Sequence, residues 1–212
     1  NAIISSAIQA GEGNGTDTGV AGIISGIDTN DGDDGSVDLT ITWDAGTDLP
    51  NTDDTTTYFR ITPDDNIDNG TTQKSAAFAL DTQDPTPSGD LAIDSVTNSS
   101  ITYTLGAAGS DTNMDEYSIY YKAAASGVAE SDTLHTTIAS GAYTPTATTT
   151  INTLSPNIRY VTNIWTYDTY AHSASATELV KYTAANIPGT SSLSSVTTNS
   201  LDITLDTNSN PA

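Results

Sequence analysis

The sequence contains no cysteine among its 212 residues, and lysine and arginine together number only five. The absence of cysteine excludes disulfides, thiol catalysis and cysteine-ligated zinc. The five cationic residues stand against 27 aspartates and glutamates, which gives a formal net charge of −22. This balance argues against a nucleic-acid partner or an anionic membrane surface, because phosphate contacts need cations that the chain lacks.

Long apolar runs are also absent, and none approaches the roughly 20 residues needed to span a bilayer. No basic, apolar leader opens the sequence. Threonine, serine, asparagine, aspartate and glycine fill the intervals between short apolar runs, whereas helix-forming glutamate, lysine and leucine are sparse. This composition predicts an all-β fold of antiparallel strands joined by polar turns, with no membrane insertion.

The first 36 residues are the least regular part of the chain, and they end in an acidic, glycine-containing loop at 28–35. Hard cations such as calcium prefer several oxygen ligands from a tight turn, which suits this composition. The spacing is not that of an EF-hand, because Asp33 and Leu39 stand where glycine and glutamate are required. Two interpretations stay open, a solvated hairpin loop or a looser calcium site. The ligands of that site would be Asp28, Asn30, Asp31, Asp33 and Asp34.

Residues 37–43 alternate between apolar and polar side chains, which predicts a strand with Trp43 facing the core. The segment continues as Trp43-Asp44-Ala45-Gly46-Thr47-Asp48-Leu49-Pro50, and a second predicted strand follows at 57–65. This pair resembles a motif of immunoglobulin-like modules in large bacterial surface proteins. The resemblance covers about residues 35–85 and implies an immunoglobulin-like sandwich for residues 1–84.

A Leu-x-Pro-x-x-x-Tyr turn at Leu154, Pro156 and Tyr160 runs directly into an alternating strand at 160–167. This combination resembles the turn and strand of a fibronectin type III domain that carry its tyrosine corner. The resemblance implies that the Tyr160 hydroxyl bonds to backbone upstream of the turn. It also implies that Leu154 ends the preceding core strand and that Pro156 fixes the turn.

Seven predicted strands lie between residues 88 and 185, the number that a type III sandwich needs. The strands are expected near 91–96, 101–105, 117–122, 132–139, 148–154, 160–167 and 177–182. Type III domains usually carry a tryptophan in the second strand, where this chain has Ile101 and Tyr103. The core tryptophan would then be Trp165, if its face points inward, or would be absent.

The segment 95–105 recurs at 195–205, at an offset of one type III module. The expected domains are therefore 1–84, 85–186 and 187–212, with the last being the first two strands of a further type III-like module. Both ends look incomplete. Either the chain belongs to a longer tandem array, or residues 187–205 add as strands to a neighbouring copy and so support self-association.

No catalytic constellation emerges from the sequence. His135 and His172 occupy separate polar segments without an acidic partner at metal spacing, and no nucleotide-binding or nucleophile motif occurs. Lys74, Lys122 and Lys181 are the only candidates for a lysine–asparagine isopeptide bond. The N-glycosylation pattern is matched at Asn14, Asn69 and Asn98. A match marks a possible acceptor site and does not show that a glycan is attached.

These observations predict a non-enzymatic structural module of an extracellular prokaryotic surface protein, such as a filament, stalk or surface layer. No cofactor is expected apart from the calcium alternative. The competing hypothesis is a carbohydrate-binding adhesin whose aromatic rings stack on a glycan. Its candidate residues are Tyr117, Tyr120, Tyr121, Trp165, Tyr167 and Tyr170.

Overall fold

The computed structural model describes residues 7–11, 16–17, 24–25, 39–63, 67–208 and 210. The chain divides into two compact units, residues 1–83 and residues 84–212. Every strand pairing among the described residues is antiparallel. In this part of the chain, no helix is long and apolar enough to cross a bilayer.

The described residues of the first unit form four two-stranded pairings and one short helix, α1. The pairings are β1 (Ala7–Gly11) with β4 (Leu39–Trp43), β2 (Thr16–Asp17) with β3 (Ile24–Ser25), β5 (Asp53–Thr57) with β8 (Phe78–Asp81), and β6 (Arg60–Ile61) with β7 (Gln73–Lys74). Helix α1 spans Ala45–Asp48. It begins after Asp44 because that side chain accepts the Thr47 N–H at 3.3 Å.

Three aromatic rings pack together in the first unit. Trp43 is half-buried and meets Phe59 edge-to-face at 5.5 Å, and Phe59 stacks on Phe78 at 6.0 Å. The Trp43 indole Nε1 donates to the carboxylate of Asp48 at 2.8 Å. The indole therefore has an apolar body against other rings and a satisfied polar edge.

The second unit contains a three-stranded and a five-stranded sheet. The smaller sheet has the order β13-β10-β9, from β9 (Ala92–Val96), β10 (Ile101–Thr104) and β13 (Thr148–Ile151). The larger sheet has the order β12-β11-β14-β15, with β16 also paired to β14. Its strands are β11 (Met114–Lys122), β12 (Thr133–Ala139), β14 (Arg159–Asp168), β15 (Ser173–Ser175) and β16 (Leu179–Tyr182). A short 3₁₀ turn at Ser140–Ala142 follows β12.

This strand order is that of a fibronectin type III sandwich, with the first, second and fifth strands in one sheet. The all-β, immunoglobulin-like fold class predicted from the sequence is thus confirmed. The seventh strand predicted at 177–182 is present as β16, and β15, which was not predicted, also pairs with β14.

The core of the second unit lies between the inward faces of β10, β11 and β14. Tyr103 is fully buried at the position where type III domains usually carry a tryptophan. Its hydroxyl lies 2.7 Å from the Thr162 hydroxyl of the opposite sheet. Trp165 is half-buried and lies on the outward face of β14, so this core has tyrosine in place of tryptophan. The other fully buried apolar side chains are those of Tyr117, Ile101, Ile119, Ile151, Ile164 and Val161.

The sequence repeat is also a structural repeat. Strand β17 (Ser192–Ser194) pairs with β18 (Asp202–Thr204), and two of its three residue pairs, 192 with 204 and 193 with 203, match the pairs 92 with 104 and 93 with 103 of β9 and β10. The third pair differs, because the earlier hairpin has a bulge at Thr102. The turns match as well, since the Thr97 and Thr197 N–H groups donate to the carbonyls of Ser100 and Ser200 at 2.9 and 2.8 Å. The β17–β18 hairpin therefore has the conformation of the first two strands of a module.

His135 connects the two sheets of the sandwich at their adjacent edges. It is the extra residue of a bulge in β12, because Ile119 pairs with Thr136 and Tyr120 with Leu134. A bulge redirects a side chain out of the regular alternation. Here the His135 Nε2 lies 2.8 Å from the Thr149 hydroxyl of β13, and burial lowers the pKa of the imidazole.

Because the folded protein binds a proton at His135 more weakly than the unfolded chain, stability must fall as pH falls. The unfolded imidazole has a pKa of about 6.5. The contribution of His135 to the free energy of unfolding is fully present above the unfolded pKa. It is lost as the pH falls from the unfolded pKa to the lower pKa of the folded state. We expect the denaturant midpoint of the second unit to decrease from pH 7 to pH 5, and His135→Gln to reduce that decrease. An Asn199→Ala control, which removes no titratable group, should keep it. An unchanged pH profile in His135→Gln would contradict the assignment.

Candidate functional site

The turn between β13 and β14 has the geometry of a tyrosine corner. The buried Tyr160 hydroxyl accepts the backbone N–H of Ser155 at 3.0 Å. Leu154 is buried in the core, and its N–H donates to the Ser99 carbonyl at 2.9 Å. Pro156 sits in the turn, and Asn157 has a φ of 54°, a left-handed conformation that asparagine tolerates. The corner thus orders the chain at the entry to β14.

Thr183 supports this corner and was not predicted from the sequence. Its buried hydroxyl donates to the Ser155 carbonyl at 2.6 Å and accepts the Ile158 N–H at 3.0 Å. It links the end of β16 to the turn across a separation of more than 20 residues. A lone threonine after a strand carries no periodic signal, so sequence alone does not distinguish it from its neighbours.

The outward face of the larger sheet is partly covered by the loop 123–132, which we call the strap. Both carboxylate oxygens of Glu178 accept strap N–H groups, from Gly127 at 3.0 Å and Val128 at 2.7 Å. The Val128 side chain is 6% exposed although it lies in a loop. A carboxylate that accepts two adjacent N–H groups fixes the strap through charge-assisted bonds.

Asp132, at the end of the strap, holds the strap by an ion pair with Lys122 and by a hydrogen bond from the Ala129 N–H. Lys122 lies 2.9 Å from Asp132, and hydrogen bonds from Lys122 and from the Ala129 N–H lower the pKa of the Asp132 carboxyl. Lys122 also donates to the Gly127 carbonyl. Since Lys122 pairs with an aspartate and both side chains are partly exposed, this contact is an ion pair and not the buried lysine–asparagine pair that an isopeptide bond would need.

Beside the strap, three aromatic side chains share the outward face of the sheet. Tyr120 meets Trp165 edge-to-face at 5.4 Å, and the Tyr167 hydroxyl donates to Glu130 of the strap at 2.9 Å. The Ser173 hydroxyl donates to the same carboxylate at 3.1 Å. Burial, followed by the hydrogen bonds to Tyr120 and Glu130, raises the pKa of Tyr167. This phenol therefore stays protonated and acts as a donor.

The six rings considered as a glycan platform do not all lie on one surface. Tyr117 is buried in the core, where it stacks on Tyr143 at 3.9 Å, and Tyr121 packs against that core. Tyr170 is 47% exposed in the turn after β14. Only the outward trio of Tyr120, Trp165 and Tyr167 is brought together, and its rings are not coplanar.

The other predicted site residues are placed as follows. The calcium-loop residues Asp28, Asn30, Asp31, Asp33 and Asp34, and the Asn14 glycosylation position, lie outside the described residues. The His172 Nδ1 lies 2.7 Å from the buried Asp168 carboxylate, which also accepts the N–H groups of Tyr170 and His172 and so closes the turn after β14. Lys74 lies 3.5 Å from the centre of the Tyr58 ring, and Lys181 is exposed.

Comparison with known proteins gives only distant similarities. No family model matches the chain, and no curated protein matches it in sequence. Among solved structures, the FN1–FN3 domains of chicken CNTN1 are 13% identical, with 71% of this chain and 49% of that chain covered and a TM-score of 0.42. A crystal structure of titin domains is 12% identical, covers 86% and 61%, and has a TM-score of 0.43. A fibronectin type III domain of human fibronectin type III domain containing protein 3 is 12% identical, with 50% and 91% covered and a TM-score of 0.34. The alignments span about half of the CNTN1 fragment and less than two thirds of the titin fragment. The description of residues 85–186 as a type III-like module rests on its own strand order and tyrosine corner.

The corner geometry predicts a measurable loss of stability in Tyr160→Phe. The substitution leaves the Ser155 N–H without its acceptor and should cost about 1–3 kcal/mol. Denaturant unfolding followed by Trp165 fluorescence, in a Trp43→Phe background, measures this cost in the second unit alone. Tyr182→Phe is the matched control, because that ring is 53% exposed at the end of an edge strand. Equal midpoints for the two variants would refute a structural role for the Tyr160 hydroxyl.

Proposed function

We propose that this chain is a non-enzymatic structural segment of an extracellular prokaryotic surface protein, in which such modules follow one another in a stalk, filament or surface layer. The observation that carries the proposal is the repeat of one hairpin at an offset of 100 residues, in sequence and in two of the three residue pairs of β17 and β18. A repeated module is the unit from which extended arrays are built. The fold alone would not give this function, because sandwiches host many activities.

Two further properties support an extended, assembling role. The net charge of −22 favours a soluble, self-repelling surface with cations as counter-ions. The β17–β18 hairpin exposes apolar side chains whose counterparts 100 residues earlier are buried or half-buried, such as Leu201 at 49% against Ile101 at 0%. We therefore propose that this face is covered by a neighbouring module or by a neighbouring copy of the chain. Coverage by a second copy would be self-association.

The location and assembly state can be tested on cells of the source organism. An externally added protease should degrade the protein in intact cells, as detected by an antibody raised against residues 85–186. Material released from the envelope should sediment as species larger than one chain. A cytoplasmic protein in the same sample is the control and must stay intact. Protection of this chain until the cells are lysed would contradict an extracellular location.

A second candidate function is glycan binding, favoured by the outward trio of Tyr120, Trp165 and Tyr167 beside Glu130 and Ser173. Aromatic faces and nearby hydrogen-bonding groups are what sugar rings require. If this surface binds glycans, an array should show binding that Trp165→Ala abolishes while the control Tyr58→Ala retains it. Equal binding by both variants, or none by the parent chain, would exclude this surface as the glycan site.

A further inference from the structure

The segment 184–189, which we call the junction, joins the type III-like module to the β17–β18 hairpin. On the module side, the Ala184 N–H donates to the Thr97 carbonyl at 2.9 Å, and the Asn157 N–H donates to the Ala184 carbonyl at 3.1 Å. On the hairpin side, the Gly189 N–H donates to the Asp206 carbonyl at 3.0 Å. The junction is thus hydrogen-bonded at both ends and leaves few residues free to rotate.

Asn186 lies at the centre of the junction and uses all four of its polar groups. Its Oδ1 accepts from the Asn98 Nδ2 of the module at 2.6 Å, and its Nδ2 donates to the Asn208 carbonyl at 2.8 Å. Its backbone N–H donates to the Asn210 Oδ1 at 2.6 Å, and its carbonyl accepts from the Asn210 Nδ2 at 2.9 Å. One side chain therefore bonds to the module and to the hairpin at the same time.

Two further features restrict the junction. The Asn208 Nδ2 donates to the Ile187 carbonyl at 2.8 Å, and Pro188 has a fixed φ. Asp206 lies so close to Gly189 that an added Cβ would be 1.9 Å from its Oδ2 and 3.0 Å from its Cβ. A side chain at position 189 would displace the exposed Asp206 side chain.

The start of the preceding module has a similar arrangement 100 residues earlier. The Thr86 N–H donates to the Ser110 carbonyl at 3.0 Å, and the Ser110 N–H donates to the Thr86 hydroxyl at 2.7 Å. Thr86 and Ser110 correspond to Asn186 and Asn210 at the same offset. In both places the entering segment is bound to the loop that follows the second strand. Asparagine, with its longer amide, can in addition reach the previous module.

We infer that the junction is a rigid connection in which Asn186 fixes the orientation of one module relative to the next. A free linker of six residues has a root-mean-square length of roughly 13 Å and permits many orientations. A junction whose polar groups are paired on both sides permits one. The inference goes beyond the proposed function, because it concerns the mechanics of the chain wherever the protein is located.

Because the chain lacks cysteine, two spin labels can be attached specifically to the whole protein. We choose Thr148→Cys in β13 and Ser192→Cys in β17, both at exposed positions. Pulsed electron spin resonance should give one narrow distance distribution in the parent chain. Asn186→Ala should widen it, because the backbone bonds that remain hold each side of the junction separately and the side chain that bonds to both sides is lost. Asn199→Ala, in the hairpin turn outside the junction, is the matched control and should stay narrow.

A broad distribution in the parent chain, or a narrow one in Asn186→Ala, would overturn the inference. Should Asn186→Ala fail to fold, as seen by Trp165 fluorescence, Asn98→Ala serves for the same comparison, since it removes only the module-side bond of Asn186. A narrow distribution in Asn98→Ala would then contradict the inference. These outcomes are independent of the protease test on cells, so failure of the location proposal and failure of the rigid junction are distinguishable.

Discussion

The second unit depends on satisfying the polar side chains that it buries. Strand β14 is the centre of the larger sheet, and threonine and asparagine side chains are buried on both of its faces. Thr162 bonds to Tyr103, Thr166 accepts the Ser88 N–H at 3.1 Å, and the Asn163 Nδ2 donates to the Ala176 carbonyl at 2.8 Å. Without such partners each buried group would cost stability, because its hydration is lost. A chain with only 35% hydrophobic residues can therefore build a sandwich core.

The same chemistry extends from the core to the surface. Glu178 and Glu130 hold the strap against the outward face, Thr183 holds the corner, and Asn186 holds the junction. Each of these contacts is a specific hydrogen bond where other proteins use apolar packing. Such a bond adds little to the free energy of folding, but it restricts the positions of the two segments that it joins. Fixed geometry within and between modules is what a load-transmitting or lattice-forming segment requires. The structure and the proposed role are in this sense consistent.

The sequence predicted the elements that carry a local signal. The alternation at 160–167, the turn at Leu154 and Pro156, and the repeat at 195–205 were sufficient to predict a type III-like sandwich. They could not indicate the strap, because Glu130 and Glu178 are 48 residues apart and each has the composition of an ordinary polar loop. Asn186 was missed for the same reason, since its partners at Asn98 and Asn210 lie on either side of it at long range. Period-based reasoning detects apolar faces, whereas pairs of distant polar groups leave no period.

The absence of a tryptophan in β10 was visible in the sequence, but its consequence was not. The structure fills that space with Tyr103, whose hydroxyl would be unfavourable there without Thr162 on the opposite sheet. We infer that the bonded polar side chains make β14 the most stable element of the unit. Native-state hydrogen exchange of the 212-residue chain measures the stability of each strand separately. We expect the amides of residues 161–166 and of β11 to exchange slowest, through global unfolding, and those of β17 and β18 to exchange faster. Exchange of the β14 amides as fast as that of the β17–β18 hairpin would contradict it.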